Sequence, residues 1–134
     1  MESYYFDTSI WLDIYEKRGE NGEAALNLIF KIILEGDVVL ISHIILKELK
    51  KLGYSNQNLL GIFKIAKSNS LRMVHTFKNQ EKEARGLAKI RNLPLGDVLH
   101  AILARDNFAC LVTRDEDFQK LKDLIRVSKP EELI

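Results

Sequence analysis

Four acidic residues stand where a fold could gather them. Asp7 follows the strand-like run Ser3-Tyr4-Tyr5-Phe6, and Asp97 lies in the first turn of a helix-like run opening at Pro94-Leu95-Gly96. Asp115 comes just past the apolar run Ala109-Cys110-Leu111-Val112, and Glu48 sits almost two turns into another helix-like segment. Taken singly, each has an ordinary explanation, since acids near helix starts cap backbone donors and suit the helix dipole. Brought together, they repel, and they stay ionised only if a cation joins them. Oxygen donors select a hard cation, Mg²⁺ or Mn²⁺. Zinc lacks support, because one Cys and three scattered His form no ligand spacing. With one or two such ions the natural reaction is phosphodiester hydrolysis. The metal makes water more acidic and stabilises charge on phosphorus and on the leaving oxygen, and no protein nucleophile is needed.

The elements that must position these acids follow from hydrophobic periodicity. Residues 3–6 predict a strand, with Thr8 or Ser9 capping a helix that buries Ile10, Trp11 and Ile14 and stops near Gly19. Residues 16–22 are polar and glycine-punctuated, which predicts a mobile loop. A helix over 22–35 carries Ala25, Leu28, Ile29, Ile32 and Ile33 on one face, and a strand follows at 38–41. Ser42 reads as the cap of a helix in which Ile45, Leu46, Leu49 and Leu52 face inward. Next come a helix over 56–68, a weaker strand at 71–74 and an amphipathic helix over 80–91 with Ala84, Leu87, Ala88 and Ile90. The helix from Pro94 leads into a buried strand at 109–112, a short helix at 118–121 and a last strand at 124–127, with Pro130 ending regular structure. Strands alternating with helices predict an α/β fold, an α/β/α sandwich around a mainly parallel sheet. Ligands bind at the carboxyl edge of such sheets. If the first and fourth strands are neighbours, Asp7, Asp97 and Asp115 share that edge.

A chain of 134 residues supports one domain, expected over residues 1–134. A content of 46% hydrophobic and 29% charged residues is that of an ordinary globular protein. The net charge of +1 means that any nucleic-acid binding must come from a local basic patch. Cys110, the single cysteine, lies in an apolar strand and reads as a buried hydrophobe, which fits a reducing compartment. The start of the chain has no signal-peptide pattern, and no apolar run approaches the roughly 20 residues of a membrane span. A soluble, cytoplasmic protein is expected.

Four segments together resemble the PIN-domain nucleases, and more narrowly the VapC-type toxin ribonucleases of VapBC toxin–antitoxin pairs. They are Tyr5-Phe6-Asp7-Thr8-Ser9, Ile44-Ile45-Leu46-Lys47-Glu48-Leu49, Leu95-Gly96-Asp97-Val98-Leu99-His100-Ala101 and Leu111-Val112-Thr113-Arg114-Asp115-Glu116-Asp117-Phe118. Each is weak alone; the set, in this order and across essentially the whole chain, is fairly specific. The resemblance implies an acidic Mg²⁺ or Mn²⁺ site, single-strand-directed RNA cleavage, a homodimer and an antitoxin that occupies the site. By position, Asp7, Glu48, Asp97 and Asp115 match the acidic quartet, with Asp7, Asp97, Asp115 and Asp117 as metal ligands. Asp117 would be a fifth member acting through water. Thr8 and Thr113 would orient carboxylates.

Arg114, beside Asp115, suits a phosphate or antitoxin contact. Lys47, Lys50 and Lys51 near Glu48 could guide a phosphate backbone, although a run of charge is ordinarily a solvated face. His100 shares a helix face with Asp97; a satisfied structural histidine is preferred there to a general base, because metal-activated water already supplies the nucleophile. His43 and His75 carry no pattern. Trp11, Tyr15 and Tyr54 could stack on bases, with core or dimer packing the better assignment for Trp11. The alternatives are a housekeeping RNA-processing PIN nuclease and a non-catalytic RNA-binding module. A haloacid-dehalogenase-like phosphatase would need an Asp where Ser9 stands, and a receiver domain's Asp and Lys arrangement is not evident.

Overall fold

A computed structural model describes residues 1–134. β1 (Ser3–Phe6) is the central strand of a five-stranded, all-parallel sheet in the order β3-β2-β1-β4-β5. β2 (Val38–Ser42) and β4 (Ala109–Val112) flank it. Both are buried along their whole length, as strands covered on two faces must be. β3 (Leu71–Val74) and β5 (Val127–Ser128) form the edges. The strand order reverses between β1 and β4, where an open α/β sheet leaves a crevice beyond its carboxyl ends. Phe6 pairs in register with Val112, and the Asp7 N–H donates to the Val112 carbonyl at 3.1 Å. Asp7 and Thr113 are therefore level with each other at that crevice.

Six helices flank the sheet. α1 (Thr8–Tyr15) packs against α2 (Gly19–Leu34), α4 (Asn56–Phe63) and α3 (His43–Lys51). α5 (Lys78–Arg91) packs against α6 (Leu95–Asp106), and α6 lies on β4. The core is continuous and is centred on Tyr5, Phe6, Trp11, Leu40, Ile45 and Leu111, none of them exposed. Trp11 rests against Phe6 and Phe63, so it packs the core and is out of reach of a base.

Several local expectations are corrected. α1 is capped by Asp7 itself rather than by Thr8 or Ser9, and it ends at Tyr15 instead of running to Gly19. α2 begins at Gly19, so the segment expected as a mobile loop is largely the first turn of a helix secured against α1. α4 stops at Phe63, five residues early, and the chain turns through a 3-10 segment, Ser68–Ser70, into β3. α5 starts at Lys78 and leaves Ile90 exposed, and Leu52, expected inside, also faces out. Pro94 precedes α6 as its N-cap residue rather than sitting in its first turn. The last strand is only Val127–Ser128, and Pro130 opens a 3-10 turn, Pro130–Glu132, instead of ending regular structure. These misses lie at element ends, where a short apolar run does not say how far pairing extends.

Candidate active site and metal centre

The site is built from four element ends. Asp7 leaves β1, and its Oδ1 accepts from the Ile10 N–H at 3.1 Å, closing the first turn of α1. The Ser9 hydroxyl donates to the same oxygen at 2.8 Å. The Thr113 hydroxyl, at the end of β4, donates to the other oxygen, Oδ2. Thr113 Oγ1 also accepts from the Asp115 N–H at 3.0 Å, so one threonine ties Asp7 to the backbone that carries Asp115. Asp7 is buried, and burial raises its pKa against the lowering effect of the Thr113, Ser9 and Ile10 hydrogen bonds. With Oδ1 fully occupied, Oδ2 is the atom with a lone pair left for a cation.

Asp97 lies in the first turn of α6 and is half-buried. Burial and the nearby charges of Asp115, Glu48 and Asp117 push its pKa up to about 6 against the opposing pull of His100. Asp115 caps the 3-10 segment Glu116–Leu121, accepting from the Asp117 N–H at 2.9 Å, which sets Asp115 and Asp117 side by side. Carboxylate oxygens of Asp97, Asp115 and Asp117 lie within 4.8 Å of one another. Three hard oxygen donors this close, one reluctant to ionise, fit a divalent cation by donor chemistry and by the repulsion it would relieve. Asp7 and Glu48 are outside that tight group.

Glu48 reaches the site from α3. Thr8 donates to its Oε1 at 2.6 Å, and His100 Nε2 lies 2.8 Å from Oε1 and 3.1 Å from Oε2. Burial alone would raise the Glu48 pKa, but the His100 and Thr8 hydrogen bonds hold it below the usual range. The Tyr5 hydroxyl lies 2.6 Å from His100 Nδ1 and 2.7 Å from the Ser42 hydroxyl. The contacts form one continuous chain, Ser42–Tyr5–His100–Glu48, in which the Nε2–H donates to the Glu48 carboxylate and Nδ1 is satisfied by the Tyr5 hydroxyl. His100 is thus a satisfied interior histidine whose partner is a site residue. Gly96 completes the fit, because a Cβ there would stand 3.3 Å from Glu48 Oε2.

Arg114 is turned to other acids. Its guanidinium is bidentate to Glu131 at 2.8 and 3.0 Å and lies 3.8 Å from Asp13 of α1. A groove of about 450 Å³ adjoins the site, with Glu48 and Asp97 in its wall and His43, Lys47, Lys51, Thr76 and Glu81 further along. Ser42, Thr76 and Glu81 gave no functional signal in the sequence, and Tyr5 and Gly96 entered only as members of the segments that carry the resemblance, with no role of their own. Tyr5 reads there as one of three aromatic residues in a strand, and its partners lie 37 and 95 positions away.

Comparison with known proteins bears on the fold and the family. The PIN domain family profile matches residues 4–124. A search of curated proteins gave no match. Among solved structures, this chain is similar to VapBC2 from Rickettsia felis bound to a promoter DNA fragment, at 21% identity and a TM-score of 0.71 over 95% of this chain and 98% of that one. It also resembles a toxin–antitoxin complex from Klebsiella pneumoniae, at 22% identity and a TM-score of 0.64 over 95% and 97% of the two chains. DNA-bound VapBC from Salmonella typhimurium matches at 17% identity and a TM-score of 0.66 over 97% and 99%. At these identities the likeness speaks for the fold. With the profile spanning nearly the whole chain and an acidic cluster at the crevice, the chain belongs to the PIN-domain family, whose members are nucleases that use divalent metals.

Proposed function

We propose that this protein is an Mg²⁺- or Mn²⁺-dependent endoribonuclease and the toxin of a toxin–antitoxin pair. The observation that carries the nuclease is the convergence of Asp97, Asp115 and Asp117 within 4.8 Å, beside Glu48 and Asp7. The toxin role rests on what the similar structures are, VapBC and toxin–antitoxin complexes. An antitoxin partner, a homodimer and a cytoplasmic location belong to the same reading. No helix is long and apolar enough to cross a membrane.

Asp97, Asp115 and Asp117 would hold the cation, with Asp7 reaching it through Oδ2. A divalent ion there supplies Lewis-acid stabilisation of the phosphate and activates water. Thr113 fixes Asp7 and the Asp115 backbone in one frame. His100 and Thr8 hold Glu48 ionised and fixed in place, so that its carboxylate would be available at the site to accept a proton from water. Five acids around one phosphate would repel it without the ion, which makes cleavage strictly metal-dependent.

The test follows a labelled structured RNA with purified, antitoxin-free protein, with metal added or chelated, beside Asp97→Asn. Cleavage is expected only with Mg²⁺ or Mn²⁺ and falls by at least about 10²-fold in the variant. Full-rate cleavage by folded Asp97→Asn overturns the site. Binding without cleavage across a range of RNAs favours a non-catalytic RNA-binding module.

A further inference from the structure

Three features of α3 stand apart from the acidic site. His43, Lys47 and Lys51 recur every four residues, so they form one ridge along the helix, about 6 Å from each to the next. All three line the groove that Glu48 and Asp97 also line, with Glu48 falling between Lys47 and Lys51 along the helix. Neither Lys47 nor Lys51 has an acidic partner within ion-pair distance, although six other lysines and arginines of the protein form ion pairs. Lys50, on the same helix, does not line the groove. Glu81 also lines the groove, and the Thr76 hydroxyl that donates to it at 3.0 Å lies 3.4 Å from His43 Nε2, so this acid stands at the His43 end and leaves Lys47 and Lys51 as the unpaired charges. Ile44, Leu95 and Leu99 give the groove an apolar floor.

We infer that the His43–Lys47–Lys51 ridge is a subsite for the sugar–phosphate backbone next to the scissile phosphate, and that it seats a single strand before cleavage. The inference rests on the ribonuclease reading for its occupant. Unpaired ammonium groups one helical turn apart bind successive phosphates of an extended strand as point charges, without reading sequence. The apolar floor takes riboses or base faces, as single-strand channels do. Glu48 is adjacent in sequence to Lys47 and shares the groove wall, so a strand held on the ridge delivers its next phosphate to the acidic edge. His43 closes the ridge at its far end: burial and the neighbouring His75 and Lys47 charges hold its pKa below the ordinary value against the opposing pull of Glu81, and its Nε2 lies 3.4 Å from the Thr76 hydroxyl, so the two lysines carry the phosphate contacts.

The experiment measures binding of a fluorescent single-stranded RNA in an Asp97→Asn background, for the parent, Lys47→Gln, Lys51→Gln, the double variant and Lys50→Gln. The double variant is expected to bind about tenfold or more weakly, and its log K against log salt slope should be shallower by about 1.4 for two lost contacts. Lys50→Gln should stay within about twofold of the parent. In the cleavage-competent protein, Lys47→Gln and Lys51→Gln should raise KM and leave kcat unchanged. Equal loss in Lys50→Gln overturns the subsite, since it would report only a diffuse field. An unchanged salt slope overturns it as well. So does a double variant that loses antitoxin affinity while binding RNA normally. Ridge-dependent binding without cleavage in the wild-type protein would sustain the subsite and sink the nuclease; cleavage with ridge-independent binding does the reverse.

Discussion

At the scale of single residues the site is a balance of repulsion and hydrogen bonding, and Asp97 carries its tension. Its pKa near 6 lies above the ordinary carboxylate range because Asp115, Glu48 and Asp117 crowd a half-buried group. A carboxyl whose folded pKa is raised favours folding in its protonated form, and that stability is lost as pH rises through about 6. Without metal, Asp97→Asn should therefore be more stable than the wild type at about pH 8. The gain is on the order of 1 kcal/mol once solvent screening of a partly exposed group is allowed for. Urea unfolding in EDTA measures it, and the gap should close below about pH 4. A gap independent of pH would mean that Asp97 is not held in conflict with its neighbours. Glu48 shows the opposite solution: His100 and Thr8 satisfy its oxygens, so it stays ionised at the same edge.

At the scale of elements, the acids are placed by close packing of helices on strand ends. α1 delivers Asp7 and Thr8, and α2 locks α1 by approaching it at Gly22. A Cβ on Gly22 would lie 2.5 Å from the Asp13 carbonyl oxygen, a backbone atom that cannot step aside. Gly22→Ala should destabilise the protein by about 2 kcal/mol despite the better helix propensity of alanine. A chemical-denaturation midpoint unchanged by the substitution would show that α1 and α2 slide freely. Asp13, buried in the same region, faces Arg18 at 3.4 Å and Arg114 at 3.8 Å. Arg114 thus links α1 to the C-terminal turn through Glu131, a structural use of a residue whose position beside Asp115 also suits phosphate.

At the scale of the molecule, a parallel sheet with its order reversal between β1 and β4 leaves one crevice, and the charge that matters is local to it. The net charge is +1, so a cation joining the acids would be held by the cluster and not by a global field. Since the cluster exists only in the folded chain, Mn²⁺ at about 100 times its Kd should add about 2.7 kcal/mol to the unfolding free energy. Thermal unfolding should shift upward by several degrees, and Asp97→Asn should lose most of the shift. A wild-type transition indifferent to Mg²⁺ and Mn²⁺ would remove the metal from the reading.

The sequence by itself determined the strand and helix order and the parallel α/β class, because these depend on local periodicity; it singled out Asp7, Asp97 and Asp115 by their places near element ends, and Glu48 through the family resemblance. It also marked Ser42 as a helix cap and His100 as an interior histidine, both consistent with the contacts observed. Only the tertiary structure decided which groups meet. Tyr5 and Ser42 reach His100, and His100 reaches Glu48, across separations of 37 to 95 residues. No local pattern encodes such contacts, since they exist only after β1, β2, α3 and α6 have packed. The same holds for the turning of Arg114 toward Glu131 and Asp13, and for the groove that gives an ordinary solvated run of lysines a wall to act from. Side-chain types announce what chemistry is available, and packing selects the atoms that come within reach.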